Sequence, residues 1–349
     1  MSVAQELPVA YEDTSQDARE PIVTLIGSDL PPAYLDDAEP SPLMEGASRL
    51  WRRIMNTIKL AIILALVGGY PAAMVLSHKV DSSPVALSSI ESWSSPEIGT
   101  MLTLIGRELT GPGWAGDRSN WHPQSRLTAL PAWQNGLAEA LSEYAALNSV
   151  IAVRGDAPDA DLLAAGRLLA PALDVEGVPR LNAAAEALQR YDGRLSRGYA
   201  VAPAGNDSLQ QELALFAGWA GDMATNLSDR ADRAEAWPAA RADIETIYAA
   251  RAHAHVASQL LAASLQREPD LIPNREAEKA RDLALAAWTR AASFNPIFVS
   301  SQAGNNRFLS DHPAIMAFYM AEAEATTLAL QAELSSAGDQ DLTVAATTP

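Results

Sequence analysis

The 349 residues carry 25 basic and 43 acidic side chains, a net charge of −18 that argues against nucleic acid and anionic lipid surfaces as partners. With no cysteine, the chain has no disulfides, thiol catalysis or thiolate metal ligands. Alanine is abundant and aromatics are sparse, a composition that favours packed helices over sheets.

Residues 1–48 hold ten acids and one base, Arg19, among Pro, Ser and Gly, without a sustained period. Such a stretch buries too little to offset its ordering entropy, so a disordered acidic cytoplasmic tail is expected. Arg49, Arg52, Arg53 and Lys59 follow with no acid between them. Residues 60–76, LAIILALVGGYPAAMVL, carry no charge. At ~1.5 Å per residue this run spans about 25 Å, and with a snorkelling Lys59 it predicts one transmembrane helix over 54–77. The basic cluster precedes the run and only Lys79, beside His78, follows it closely. The positive-inside rule therefore predicts a cytoplasmic N-terminus and an exported C-terminal domain, with Trp51 and Tyr70 as interfacial anchors. Ala61, Ala65, Gly69 and Ala73 share one helix face, at a spacing that lets two membrane helices approach closely.

Residues 78–97, rich in Ser and Pro, read as a stalk. Apolar periodicity then predicts helices over 98–109, 133–150, 160–173, 181–199, 208–227, 241–267, 277–294 and 313–334. The expected fold is all-α: a membrane helix, then a bundle of about seven or eight helices over 98–336. A disordered tail over 337–349 closes the chain. No run alternates with β-branched content, so strands should be rare.

Two segments carry a resemblance. One is 114–137, where Pro131-x-Trp133-x-x-Gly136 closes an irregular loop and opens a helix. The other is 305–325, before and into the last helix. Together with Tyr248-Ala-Ala-Arg251, they resemble a family of proteobacterial inner-membrane proteins known only as a domain of unknown function. The resemblance covers roughly 58–336. It implies a single anchor in the bacterial inner membrane, a helical periplasmic domain and no assigned activity. It also leads one to expect a basic residue where this chain has Glu322.

Candidate sites are few. His253 and His255 lie two apart and point about 200° from each other on a helix, so they cannot share a metal. No metal or cofactor is expected. On the 241–267 helix, Arg251 and His255 fall within the apolar stripe that includes Tyr248. On the 313–334 helix, Glu322 falls within the face that includes Ile315, Phe318, Tyr319 and Leu330. Buried charges must be paired, so an Arg251–Glu322 ion pair is expected, with a small-anion pocket as the alternative. The loop over 114–131 gathers Asp117, Arg118, Trp121, His122 and Arg126, and loops of this composition often bind partners. Asp117 with Glu139 or Glu143 could serve acid–base chemistry, although no Ser-x-x-Lys or Gly-x-Ser-x-Gly signature accompanies them. These features favour a non-enzymatic envelope interaction module with a protein partner or self-association through the membrane helix. An envelope-polymer hydrolase or transferase using the loop, and a small-anion sensor, stand behind it.

Overall fold

The computed structural model describes residues 42–77, 80–153, 157–170, 176–233, 240–272, 274–296, 299–306 and 309–347. Side chains at 42–45, 70–77, 87, 302–306, 309 and 337–347 lie outside the description. The chain divides into two compact units, Met1–Ile62 and Ile63–Pro349.

Helix α1 (Pro42–Ser77) contains the basic cluster and the uncharged run. All of its described side chains, 46–69, are exposed, including Leu50, Trp51, Ile58, Leu64, Leu66 and Val67. Among the described residues no helix is long and apolar enough to cross a membrane. The last seven residues of the uncharged run, 70–76, have no described side chains. The expected disordered tail falls outside the described residues over 1–41, and its last residues, 42–48, belong to α1.

The remaining elements are α2 (Leu87–Ile90), α3 (Pro96–Thr110), α4 (Ala129–Ile151), α5 (Ala160–Leu169), α6 (Gly177–Leu195), α7 (Gly205–Asp232), α8 (Arg241–Arg267) and α9 (Arg275–Ser293), then a hairpin and α10 (His312–Thr347). The hairpin pairs β1 (Ser301–Asn306) with β2 (Leu309–Asp311) antiparallel, Ser301 opposite Asp311. The fold is thus all-α apart from this hairpin, among the described residues. Helix α10 runs on through 337–347, where a disordered tail is expected from sequence.

Helix α8 is the axis of the core. It packs on α3, α4, α7, α9 and α10, and every residue from Arg251 to Ser258 is buried. The reason is composition: its alanines leave the helix slim on all sides, so neighbours approach without a polar face between them. Gly136 of α4 allows one such approach, because a Cβ there would lie 2.9 Å from Ala249 Cα. The α7–α10 and α9–α10 seams complete the bundle, the second fastened by Trp288 Nε1 donating to Thr327 Oγ1 at 2.9 Å.

Residues 80–95 do not form the expected free stalk. Val85 N donates to Gln259 Oε1 at 2.7 Å, Arg107 donates to the carbonyls of Ser83 and Pro84, and Ile90 is buried. Apolar residues spaced among the serines, Val80, Val85 and Ile90, give the segment enough to bury to stay docked.

Several helix starts are closed by carboxylates from far along the chain. Asp192 accepts from the Ser94 and Ser95 amides ahead of α3, and Glu268 accepts from the Gly205 amide that opens α7. Gly205 has φ of 80°, which a residue with a Cβ adopts only at a cost. Such caps satisfy orphan amides and complement the positive helix end.

Candidate functional site

The loop over 111–128 is braced from several sides. Gln134, buried on α4, accepts from Ala115 N at 2.8 Å and donates to Gly113 O at 2.9 Å and to Glu108 Oε2 at 2.8 Å. Glu108 also accepts from Trp133 Nε1 at 3.0 Å. Burial pushes the Glu108 carboxyl above its usual range, against the lowering effect of those two donors. Asp117 accepts from the amides of Gly177 and Val178, each at 2.7 Å, and so caps α6. Gln124 Nε2 reaches Pro112 O at 3.0 Å, Arg118 reaches the same carbonyl at 3.3 Å, and Arg126 Nε donates to Asn120 O at 3.0 Å. His122 Nδ1 accepts from Gln124 N at 3.2 Å.

The polar groups that suggested chemistry therefore hold the loop in shape. Of the groups that could serve acid–base chemistry, Asp117 accepts from α6 amides on both oxygens, Glu143 Oε2 accepts from Trp219 Nε1 at 2.5 Å, and Glu139 is exposed. Trp121 is different. It is 86% exposed on this braced loop.

The second expected site forms only in part. Arg251 is buried, and its Nη1 donates to Asn295 Oδ1 at 3.1 Å. A side-chain hydrogen bond joins it to Tyr248, and its guanidinium carbon lies 5.0 Å from the Tyr248 ring centre and 5.6 Å from that of Trp133. His255, one turn on, packs at a tilt against the same Trp133 ring, centroids 5.5 Å apart. Among the described residues, Arg251 Nε and His255 Nε2 have no hydrogen-bond partner. Burial pulls the Arg251 guanidinium below its usual range; burial and the nearby Arg107 charge bring the His255 imidazole down to about 4. His255 is thus neutral at pH 7.

The expected Arg251–Glu322 ion pair is not made. Glu322 takes Arg290 of α9 instead, both carboxylate oxygens lying 2.6 Å from Nη1, with the pair partly open to solvent. Tyr319 packs edge-on to Phe294 at 5.6 Å rather than joining Tyr248. The phasing of α10 explains the error. Its buried face is Met316, Met320, Ala323, Thr327, Leu330 and Leu334, while Phe318 is 65% exposed. Large apolar residues fall on both faces, so they misplace the buried one.

Sequence reasoning missed a third cluster. Glu97 of α3 and Glu212 of α7 converge on Arg267 at the end of α8. Arg267 contacts Glu97 directly and lies 3.8 Å from Glu212 Oε1. Ser95 Oγ donates to Glu97 Oε2 at 2.6 Å, and Ser264 Oγ to Glu212 Oε2 at 2.5 Å. Two carboxylates thus share one guanidinium. Burial, with the Glu97 charge adding to it, raises the Glu212 carboxyl to about 7 against the Ser264 hydrogen bond. A cavity of about 10 Å³, lined by Glu97, Tyr144, Asn148 and Arg267 among others, adjoins the cluster and has room for about one water. The signal was present in the sequence, since Glu212 stands between Leu209 and Phe216 on the apolar face of α7. Among the described residues, no three histidines or carboxylates stand together as a metal site.

In the expected membrane-helix stripe, Ala61, Ala65 and Gly69 are exposed, and the Ala73 side chain lies outside the described residues. The chain matches no protein-family model, no curated protein and no solved structure.

Proposed function

We propose that this chain is a membrane-tethered interaction module of the bacterial envelope, non-enzymatic, that meets its partner through the loop bearing Trp121. The observation that carries this reading is the contrast within the loop. Asp117, Arg118, His122 and Arg126 are spent on backbone groups, while Trp121 stands 86% exposed on the rigid frame they make. An exposed aromatic presented at low entropy cost is a common anchor in protein interfaces.

The tether is residues 54–77 in the inner membrane, with the N-terminus in the cytoplasm and the bundle in the periplasm. The uncharged run over 60–76 carries apolar side chains all round, and those described, 60–69, are exposed, which suits an apolar surrounding. The four bases ahead of the uncharged run orient it. The resemblance to proteobacterial inner-membrane proteins agrees with this placement. Close pairing of the tether through Ala61, Ala65, Gly69 and Ala73 would present two copies of the loop to a partner.

A photo-crosslinking amino acid in place of Trp121, in the full chain in its own membranes, tests the reading. A discrete crosslinked species is expected, absent when the same group replaces exposed Ser228. Equal labelling at both positions would contradict it.

A further inference from the structure

A second surface lies on elements other than the loop and needs neither the loop nor the tether. At ~100° per residue, Phe318, Ala321, Ala325, Leu328, Ala329 and Ala332 fall on one face of α10. All six are exposed, with Phe318 at 65% and Leu328 at 46%. The opposite face is the one that packs into the core, so α10 is apolar on both sides and, among the described residues, covered on only one. The stripe runs for about 21 Å, long enough for a helix to lie along it. Leu283 of α9, 52% exposed, shares the α9 face of Arg290, which reaches this side of α10 to bind Glu322. Its alanines leave the middle of the stripe low between Phe318 and Leu328, so a partner helix can come close.

The charge around the stripe says what that partner carries. Glu322 and Glu333 border it on the α9 side and Glu324 on the α7 side. Helix α10 has no lysine or arginine along its length, and α7 has none before Arg230. Arg290, which reaches the border from α9, is already neutralised by Glu322. The floor is apolar and the rim is acidic. A second copy of the same face would set Glu324 and Glu333 against their own kind, an unfavourable match in a self-complementary contact.

We propose that the outer face of α10 is a docking site for a cationic amphipathic helix of another protein. Its apolar side lies on the Phe318–Ala332 stripe and its lysines or arginines face Glu324 and Glu333. This is the helix-on-groove mode of recognition, with anchors at one-turn spacing.

The test uses the full-length protein in nanodiscs of zwitterionic lipid and a fluorescent Leu/Lys amphipathic peptide of about 18 residues. Binding is read as anisotropy after subtracting empty discs. Micromolar binding is expected, weakened roughly tenfold or more by Ala325→Arg, by Glu324→Lys with Glu333→Lys, or by glutamates replacing the peptide's lysines. These positions are surface ones, so melting temperature should hold; Phe318→Ser serves if one variant fails to fold. Absent binding, or equal binding by wild type and Ala325→Arg, overturns the proposal. A dimer in the membrane-extracted protein that Ala325→Arg dissolves would overturn it in favour of a second copy.

Discussion

Glu212 takes a 2.5 Å hydrogen bond from Ser264 on one oxygen, while its other oxygen, buried and without a hydrogen-bond partner among the described residues, faces the Arg267 guanidinium at 3.8 Å. A carboxyl so placed holds its proton to about pH 7, whereas in the unfolded chain it gives it up near the usual value of 4.5. Between those values the folded state binds the extra proton. The stabilisation is therefore complete below pH 4.5 and is lost as the pH rises to 7. Glu212→Gln should melt with wild type at pH 4 and above it at pH 8, by a free-energy difference on the order of 3 kcal/mol. Thermal melts across that range check the difference curve, and parallel curves would refute the assignment.

Arg251 and Glu322 serve different neighbours, Asn295 with two aromatic rings in one case and Arg290 in the other. A double-mutant cycle on Arg251→Met and Glu322→Met should give a coupling within about 0.5 kcal/mol of zero. The partly exposed Arg290–Glu322 pair should couple by ~0.2–1 kcal/mol. Chemical denaturation of the four variants in each cycle measures both. Strong coupling in the first cycle would restore the buried pair.

Asp117 is a helix cap 60 residues from the helix it closes. Asp117→Ala should lower stability by ~1 kcal/mol and speed hydrogen exchange at Gly177 and Val178. Those two amides identify the cap where a simple loss of charge would not.

What the sequence revealed and what it hid follow from the range of the interactions. The bounds of α8, Arg241–Arg267, coincide with those read from periodicity, because Ile247, Leu261 and a Pro269 stop are local signals. Arg251 and His255 were also legible as buried polar residues on an apolar helix. Their partners were not, since Asn295 and Trp133 come from distant elements and no local rule couples them. The same holds for Asp117 on α6 and Glu268 on α7. The hairpin escaped because Ser301-Gln-Ala-Gly-Asn-Asn306 has neither alternation nor β-branched residues. Glu322 was misplaced for a different reason: in an alanine-rich helix that is apolar on two opposite faces, periodicity no longer tells the inner face from the outer.

The proposed tether would hold the bundle outside the cytoplasm. It is tested most directly by alkaline phosphatase fused after residue 336 or after residue 40 and expressed in a Gram-negative cell. The tether predicts an active enzyme from the first fusion and an inactive one from the second. Activity after residue 40 with none after residue 336 would contradict it.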